Sequence, residues 1–446
     1  MVIAYAGFST IIKTELFLGT VTSITNEQLS TIFRREVVVD GISGNYLSDI
    51  RLNSIDIASF DQIENGRLMH IEGMELQLSI LQILLHRGDV LAGIKRIDID
   101  SVDIQVLRTQ NDRWNILDFL IPPPVPEGEP IPPPPNLKAE IHIKHLFGEF
   151  VDYKGWGKTL PEQPYIFDLS SAEVKLDFKD REKVPISISG LFDGGALQMA
   201  GHLNIFNGQY QFDFSLSEQN PSRWGHYVLP TAGYELRGAQ LNMVGEMQSK
   251  SPFPKQGIPF NFNTTITATN SELKTPFFEE PIRQIAGTAQ FNNTERLQFQ
   301  ILSMRGQLHE QPFHGLGHFY LADSMVSLSF KSPKFEISTV DKLFPSLREW
   351  KLNGTGDGQA VLAGHLQAPA FTGYFETETL STAIGSIEDA RVSFKRQESK
   401  LDLVANDGRF HQGTVSGKMH IQFQAPAPST FQSSIRVQDI NVSDFL

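Results

Sequence analysis

Three histidines fall within the ten residues HEQPFHGLGH, namely His309, His314 and His318, and closely spaced imidazoles are a common start of a metal centre. The residues around them alternate as in a strand. Ligands four or five residues apart on a strand do not converge as they would on a helix. A related stretch further along keeps His411 and His420 but carries Thr414, Val415 and Ser416 in between, and no carboxylate sits at a ligand spacing. Polar histidines at a strand rim are therefore expected, not a metal site. Gly354, Gly356 and Gly358, in NGTGDGQAVLAGH, resemble a phosphate loop only in their glycines. A strand-like run follows them where a helix N-terminus would be needed, and no Lys-Ser/Thr pair is present. Asp98 and Asp100 share one strand face, which reads as a solvated outer surface and not an acid–base pair. No Gly-x-Ser-x-Gly elbow occurs. The sequence contains no cysteine, which excludes disulfides, thiol nucleophiles and Cys-ligated metals. These patterns predict a chain with no catalytic residue, no metal and no cofactor.

The remaining composition favours greasy surface over chemistry. Phe is abundant, with 32 residues against 9 Tyr and 4 Trp, and aromatic area without a polar handle suits a dry interior or a lipid. The formal net charge is −13 and Lys and Arg form no cluster, so nucleic acid is not an expected partner. At 446 residues the chain can form one extended domain or two to three compact ones. The opening run Met1–Ile12 is apolar but falls short of the ~20 residues that span a bilayer. Read from its residues alone, it is a buried strand.

The elements that would position any site are mostly strands. Glu27–Arg35 has helical spacing of Leu29, Ile32 and Phe33. Thereafter the period is two: Ile50/Leu52 then Ile55/Ile57, with a parity change at Asn53–Ser54 that predicts a bulge or turn. Ile97/Ile99 and Val102/Ile104/Val106 repeat the pattern, and Leu76–His86 fits a short helix or a buried strand. Pro122–Pro135 (PPPVPEGEPIPPPP) predicts an extended polyproline spacer, since proline has no amide proton for a ladder. From Lys138 onward short alternating runs follow one another, with Gly, Asn, Asp and Pro between them. The one helical stretch predicted there is Val340–Glu349. Three regions result: 1–121 with a helix and strands, a Pro-rich spacer over 122–136, and repeated strands over 137–446.

Those strands repeat. Gly306–Phe344 aligns without gaps onto Gly408–Leu446, matching His309 with His411, Gly315 with Gly417 and His318 with His420. Gly194–Leu216 is a looser third copy. Repetition of strand units at this scale stacks them into an elongated sheet.

Two segments resemble the AsmA-like and TamB family of envelope proteins. They are Val39–Ala58 (VDGISGNYLSDIRLNSIDIA) and Ile94–Leu120, the latter closing on Asp112, Arg113, Trp114, Asn115, Ile116 and Leu120. The glycine-led repeat resembles the later part of the same group. The resemblance implies a mostly β fold, an elongated and curled antiparallel sheet whose apolar groove carries phospholipid or another acyl lipid. It also implies a place in the periplasm between inner and outer membranes, an inner-membrane anchor in the full-length protein of which Met1–Ile12 would be the trimmed tail, a role in outer-membrane biogenesis and no enzymatic activity. An outer-membrane β-barrel assembly protein would then be a partner at the C-terminal edge. The expected groove lining is Phe178, Ile186, Ile188, Leu203, Ile205, Phe212, Phe214, Phe299, Ile301 and Phe330. The same residues would equally close a dry core in a structural or adhesive β-repeat protein.

Overall fold

The computed structural model describes residues 29–30, 35–45, 48–59, 66–86, 90–116, 137–155, 162–220, 222, 227, 235–238, 240–250, 260–275, 280–294, 297–339, 345–366, 368–383, 385–422 and 430–439. Met1–Ile12, most of the Glu27–Arg35 helix and the proline run 122–135 lie outside them, as do residues 440–446. The fold is mostly β, a curled antiparallel sheet, and short helices α1 (Ile80–Leu85) and α2 (Val90–Gly93) lie between β-strands in its N-terminal part. The stretch Leu76–His86 thus divides between a strand end and α1. The chain forms two compact units, the first drawn from 1–155, 159–219 and 244–262 and the second from 156–158, 220–243 and 263–446.

Unit 1 holds β1 (Val37–Asn45), β2 (Asp49–Ala58), β3 (Arg67–Leu78), β4 (Ile94–Arg108) and β5 (Glu140–Asp152). It continues with β6 (Tyr165–Asp177), β7 (Val184–Phe192), β8 (Gly195–Leu203) and β9 (Tyr210–Gln219). Neighbours in sequence pair antiparallel with one exception. β4 and β5, on either side of the proline run, pair parallel from Arg96↔Glu140 to Arg108↔Asp152. Parallel neighbours need a connection that returns along the whole strand, here about 40 Å at ~3.3 Å per residue.

Register aligns the apolar positions into rows. One row crosses all nine strands: Ile42, Leu52, Met74, Ile99, Ile143, Val174, Ile188, Met199 and Phe214. The parity change expected at Asn53–Ser54 proves to run across the sheet. Inward residues lie three apart in five successive strands, as Val39/Ile42, Leu52/Ile55, Ile71/Met74, Ile99/Val102 and Ile143/Leu146. Gly41 and Gly73 sit on this line with φ of 68° and 63°. A Cβ on Gly41 would collide with Asn53, and one on Gly73 with Asp100. The kink therefore needs glycine at both places.

Unit 2 holds β10 (Glu235–Arg237), part of β11 (Gln240–Ser249) and most of β12 (Phe260–Lys274). Then come β13 (Ile282–Asn292), β14 (Gln298–Leu308), β15 (Gln311–Tyr320), β16 (Met325–Glu336), β17 (Thr355–His365) and β18 (Ala370–Thr382). β19 (Gly385–Gln397), β20 (Lys400–Phe410), β21 (Gly413–Gln422) and β22 (Thr430–Gln438) complete it. From β12 onward each strand pairs antiparallel with the next.

The repeat is visible in the hairpins. β14 and β15 begin and end 102 residues before β20 and β21. Each pair is joined by a two-residue turn with positive φ at both positions, His309–Glu310 (48° and 69°) and His411–Gln412 (45° and 67°). Asp193–Gly194 makes the same turn between β7 and β8 in the looser copy. The helical reading of Val340–Glu349 becomes two 3-10 turns, Ile337–Thr339 and Pro345–Trp350, with 340–344 outside the described residues. Gly356 and Gly358 lie inside β17, so the glycine cluster is strand, with only Gly354 ahead of it.

Candidate functional site: an apolar cavity in unit 2

The concave face of unit 2 is built from cross-strand rows of unequal side chains. One row runs Gly287, Met304, Gly315, Phe330, Ala360, Gly373, Phe394, Leu403, Met419. Large residues lean over the glycines beside them: a Cβ on Gly315 would lie 2.9 Å from the Met304 methyl, and one on Gly373 2.6 Å from Phe394 Cζ. Aromatic cover of a strand glycine keeps the sheet surface sealed while leaving the space above it open.

That space is a cavity of about 950 Å³. It lies at the upper end of the ~300–1,000 Å³ typical of ligand sites. Ala289 on β13 and Leu403 on β20 line the same cavity although six strands lie between them in sequence, which shows how far the sheet of unit 2 curls. Smaller buried clusters close its margins. Ile282, Ile285 and Phe313 form one, and Val326, Leu328 and Leu366 another.

The connection after β16 lies across the concave side. Ile337, fully buried, packs with Leu380, Ala390 and Val392, and Leu352 joins them. Trp350 packs on Leu401 and Ile421 and also lines the cavity. Backbone pairing between Asn353 and Ser381 fixes the strap to β18.

Of the residues expected to line a groove, Phe299, Ile301 and Phe330 border this cavity. Ile186, Ile188, Leu203, Phe212 and Phe214 lie in unit 1 on the apolar rows of β7–β9, each half-buried. Phe178 and Ile205 are not on strands. β6 ends at Asp177 and β8 at Leu203, and both residues occupy the turns that follow. The Asn204 side chain accepts from the amides of Phe206 and Asn207, which ends β8 before Ile205. Sequence alternation missed the glycine-lined part of the wall, Gly287, Gly358, Gly408 and Gly417, because a pattern of apolar residues does not register absent side chains.

Unit 1 differs inside. Val37, Val39, Ile55, Ile57, Ile97 and Ile99 belong to one continuous buried cluster. At the strand ends Trp114 stacks on Phe150 at 5.5 Å, Phe150 on Phe167 at 6.2 Å and Phe167 on Phe192 at 6.0 Å. Polar groups hold this stack in place. The Asn115 amide donates to Gln105 O (2.7 Å) and Ser59 Oγ (2.9 Å), and Arg35 donates to the carbonyls of Ala58, Ser59 and Asn115. Arg108 donates to Asp112 and to the wholly buried Asp152. The Trp-Asn turn is thus an end cap for the sheet.

The polar clusters read from sequence stay apart. His309 is buried in its turn with Nδ1 3.2 Å from the Glu280 carboxylate, so it is not a rim residue. His314 lies opposite Arg305 and Lys331, and the His318 ring lies tilted against Tyr320 with centroids 4.6 Å apart. Among the described residues no three His, Asp or Glu side chains converge as metal ligands would. Asp98 and Asp100 belong to an outer ladder of ion pairs with Arg96, Arg51 and Lys144. Among the described residues no helix is long and apolar enough to cross a membrane.

The chain matches no protein-family model, and no curated protein aligns with it significantly.

Proposed function

We propose that this protein binds acyl lipid in the curled sheet of unit 2, without catalysis, as the AsmA-like resemblance of its strands implies. The observation that carries the reading is the cavity of about 950 Å³ with its almost wholly apolar lining. Each methylene taken from water into such a lining contributes ~0.8 kcal/mol, so roughly a dozen give ~10 kcal/mol before the cost of immobilising the chain. That attraction has no direction, which lets a chain slide along the groove. On this reading the protein works in the periplasm of a two-membrane envelope, passing phospholipid between inner and outer membrane and supporting outer-membrane biogenesis. β22 supports a partner at the C-terminal side. It pairs with β21, and Ile435 and Val437 are exposed on it, as a strand that recruits another would be. A β-barrel assembly protein of the outer membrane would be such a partner.

The test is purification without detergent followed by mass spectrometry of extracted lipid. Near-stoichiometric phospholipid is expected. Recovery of none, from protein that also fails to take up added fatty acid or phospholipid, overturns the reading in favour of a closed structural repeat.

A further inference from the structure

Among the described cross-strand rows on the concave face of β12–β21, one side chain carries a charge. The row runs Ile266, Ala289, Ile301, Gly317, Leu328, Leu362, Phe371, Arg396, Leu401, Ile421. Arg396 is half-buried, lines the cavity, and sits one residue from the end of β19. The other cations bordering the cavity belong to outward rows. Arg391 pairs with Glu376 at 3.0 Å on the outer surface, and Lys418 lies opposite Val404 and Ser434. Glu398 is exposed in the turn beyond β19.

Burial in this half-dry position disfavours the charge of the Arg396 guanidinium. That burial pushes the Arg396 pKa down from its usual value, yet arginine stays protonated in proteins. Its planar fork offers N–H donors matched to two oxygens of a phosphate, and its weak hydration suits a half-dry site better than lysine would. At the strand-end margin of the cavity, the acyl chains of a bound lipid would run inward past Phe371 and Phe394, which line it. The head group would remain at the rim.

We propose that Arg396 is the head-group site of the groove, binding the phosphodiester of a phospholipid whose chains fill the cavity. This rests on the acyl-lipid reading above. The phosphate carries a charge that matches the one cation on that face, and it lies where the apolar lining ends.

The experiment uses delipidated protein and a pyrene-labelled diacylglycerol, displaced by dioleoyl phosphatidylglycerol or by dioleoylglycerol with the same chains. Wild type should favour the phospholipid by about tenfold, the discrimination of one charge-assisted hydrogen-bond pair. Arg396→Gln should remove that preference and leave diacylglycerol affinity unchanged, and Arg396→Lys should retain part of it. Unchanged diacylglycerol affinity also shows that the variants fold. Millimolar inorganic phosphate should not compete. Equal affinity for both lipids in wild type, a preference that survives Arg396→Gln, or displacement by inorganic phosphate would each overturn the head-group assignment while the groove stands. Failure of wild type to bind either lipid would instead remove the groove itself.

Discussion

Units 1 and 2 are made from the same strand pattern and end with opposite interiors. In unit 1 the inward row of nine residues holds no glycine and no alanine, and its strand ends close on the Trp114–Phe150–Phe167–Phe192 stack. In unit 2 the equivalent rows place Gly287, Gly315, Ala360 and Gly373 among the aromatics, and a cavity remains. Interiors pack to crystal-like density when volume allows. Unit 1 has a small inward residue too, Gly201 beneath Phe212 on β8, so the difference lies in where the small positions fall along the rows and not in how many are apolar. Alternation makes a sheet with one greasy face, and the sizes along each row decide whether that face closes or stays open.

The comparison breaks most sharply at the buried ion pair of unit 1. Asp152→Ala leaves the Arg108 guanidinium, 5% exposed, without a carboxylate 3.2 Å away. Removing one partner of a buried pair costs about 3–5 kcal/mol, and because Asp112 still accepts from Arg108 the loss should fall at the lower end of that range. Urea unfolding should show this loss in unit 1, with lipid loading unchanged at the temperature of the assay. A loss under about 1 kcal/mol would mean that the end cap does not hold the unit closed.

Paired truncations sharpen the contrast. Ile57 is 1% exposed within the unit 1 cluster, whereas Ile301 is half-buried beside the cavity. Ile57→Ala should cost about 2–4 kcal/mol, since it opens a new void in a filled core. Ile301→Ala enlarges a space that already exists and should cost about 1 kcal/mol. Equal losses in denaturant unfolding would show that both interiors are packed alike.

A third change acts on loading. Ala405 faces the cavity between Val392 and Gly417 in its row. Ala405→Phe adds a ring at the cavity wall beside the Ile337–Val392 cluster, so stability should fall by about 1–3 kcal/mol while the fold is kept. Bound acyl lipid, weighed by native mass spectrometry, should fall severalfold. Undiminished loading would place the lipid elsewhere, for instance on the unit 1 rows of β7–β9.

Much of this was legible in the sequence, for physical reasons that differ by element. Period-two alternation fixed the strands and their inward residues. The gap between Leu52 and Ile55 marked a kink that proved to cross five strands. The two-residue turns at His309–Glu310 and His411–Gln412 gave the repeat its matched ends. The parallel neighbours β4 and β5 were not legible, because local pattern says nothing about direction across a long connection. Phe178 and Ile205 misled because a strand end depends on local hydrogen bonds, such as the Asn204 side chain to the next amides, and not on the apolar period. Arg396 escaped notice because one charge in an apolar row becomes visible only once register places it there.

The smallest expected effect concerns acid, and it acts on the outer face of unit 1. Arg96 donates to the Asp98 carboxylate at 2.7 and 2.8 Å and holds its pKa below the usual value. Lys175 and then His142 do the same for Glu173. A carboxylate held low in the folded state adds stability above its unfolded pKa of ~4 and loses it as pH falls through the folded value. Glu173 is well solvated and Asp98 partly so, which keeps the effect shallow and open to screening by salt. Hydrogen exchange at pH 5 and at pH 3, corrected for the intrinsic rate, should show peptides from β4 and β6 losing protection at the lower pH. The loss should shrink in 1 M salt. If the β4 and β6 peptides keep their protection while those of β14–β18 lose it, the ion-pair ladder contributes nothing to unit 1. The closed interior alone would then distinguish the two units.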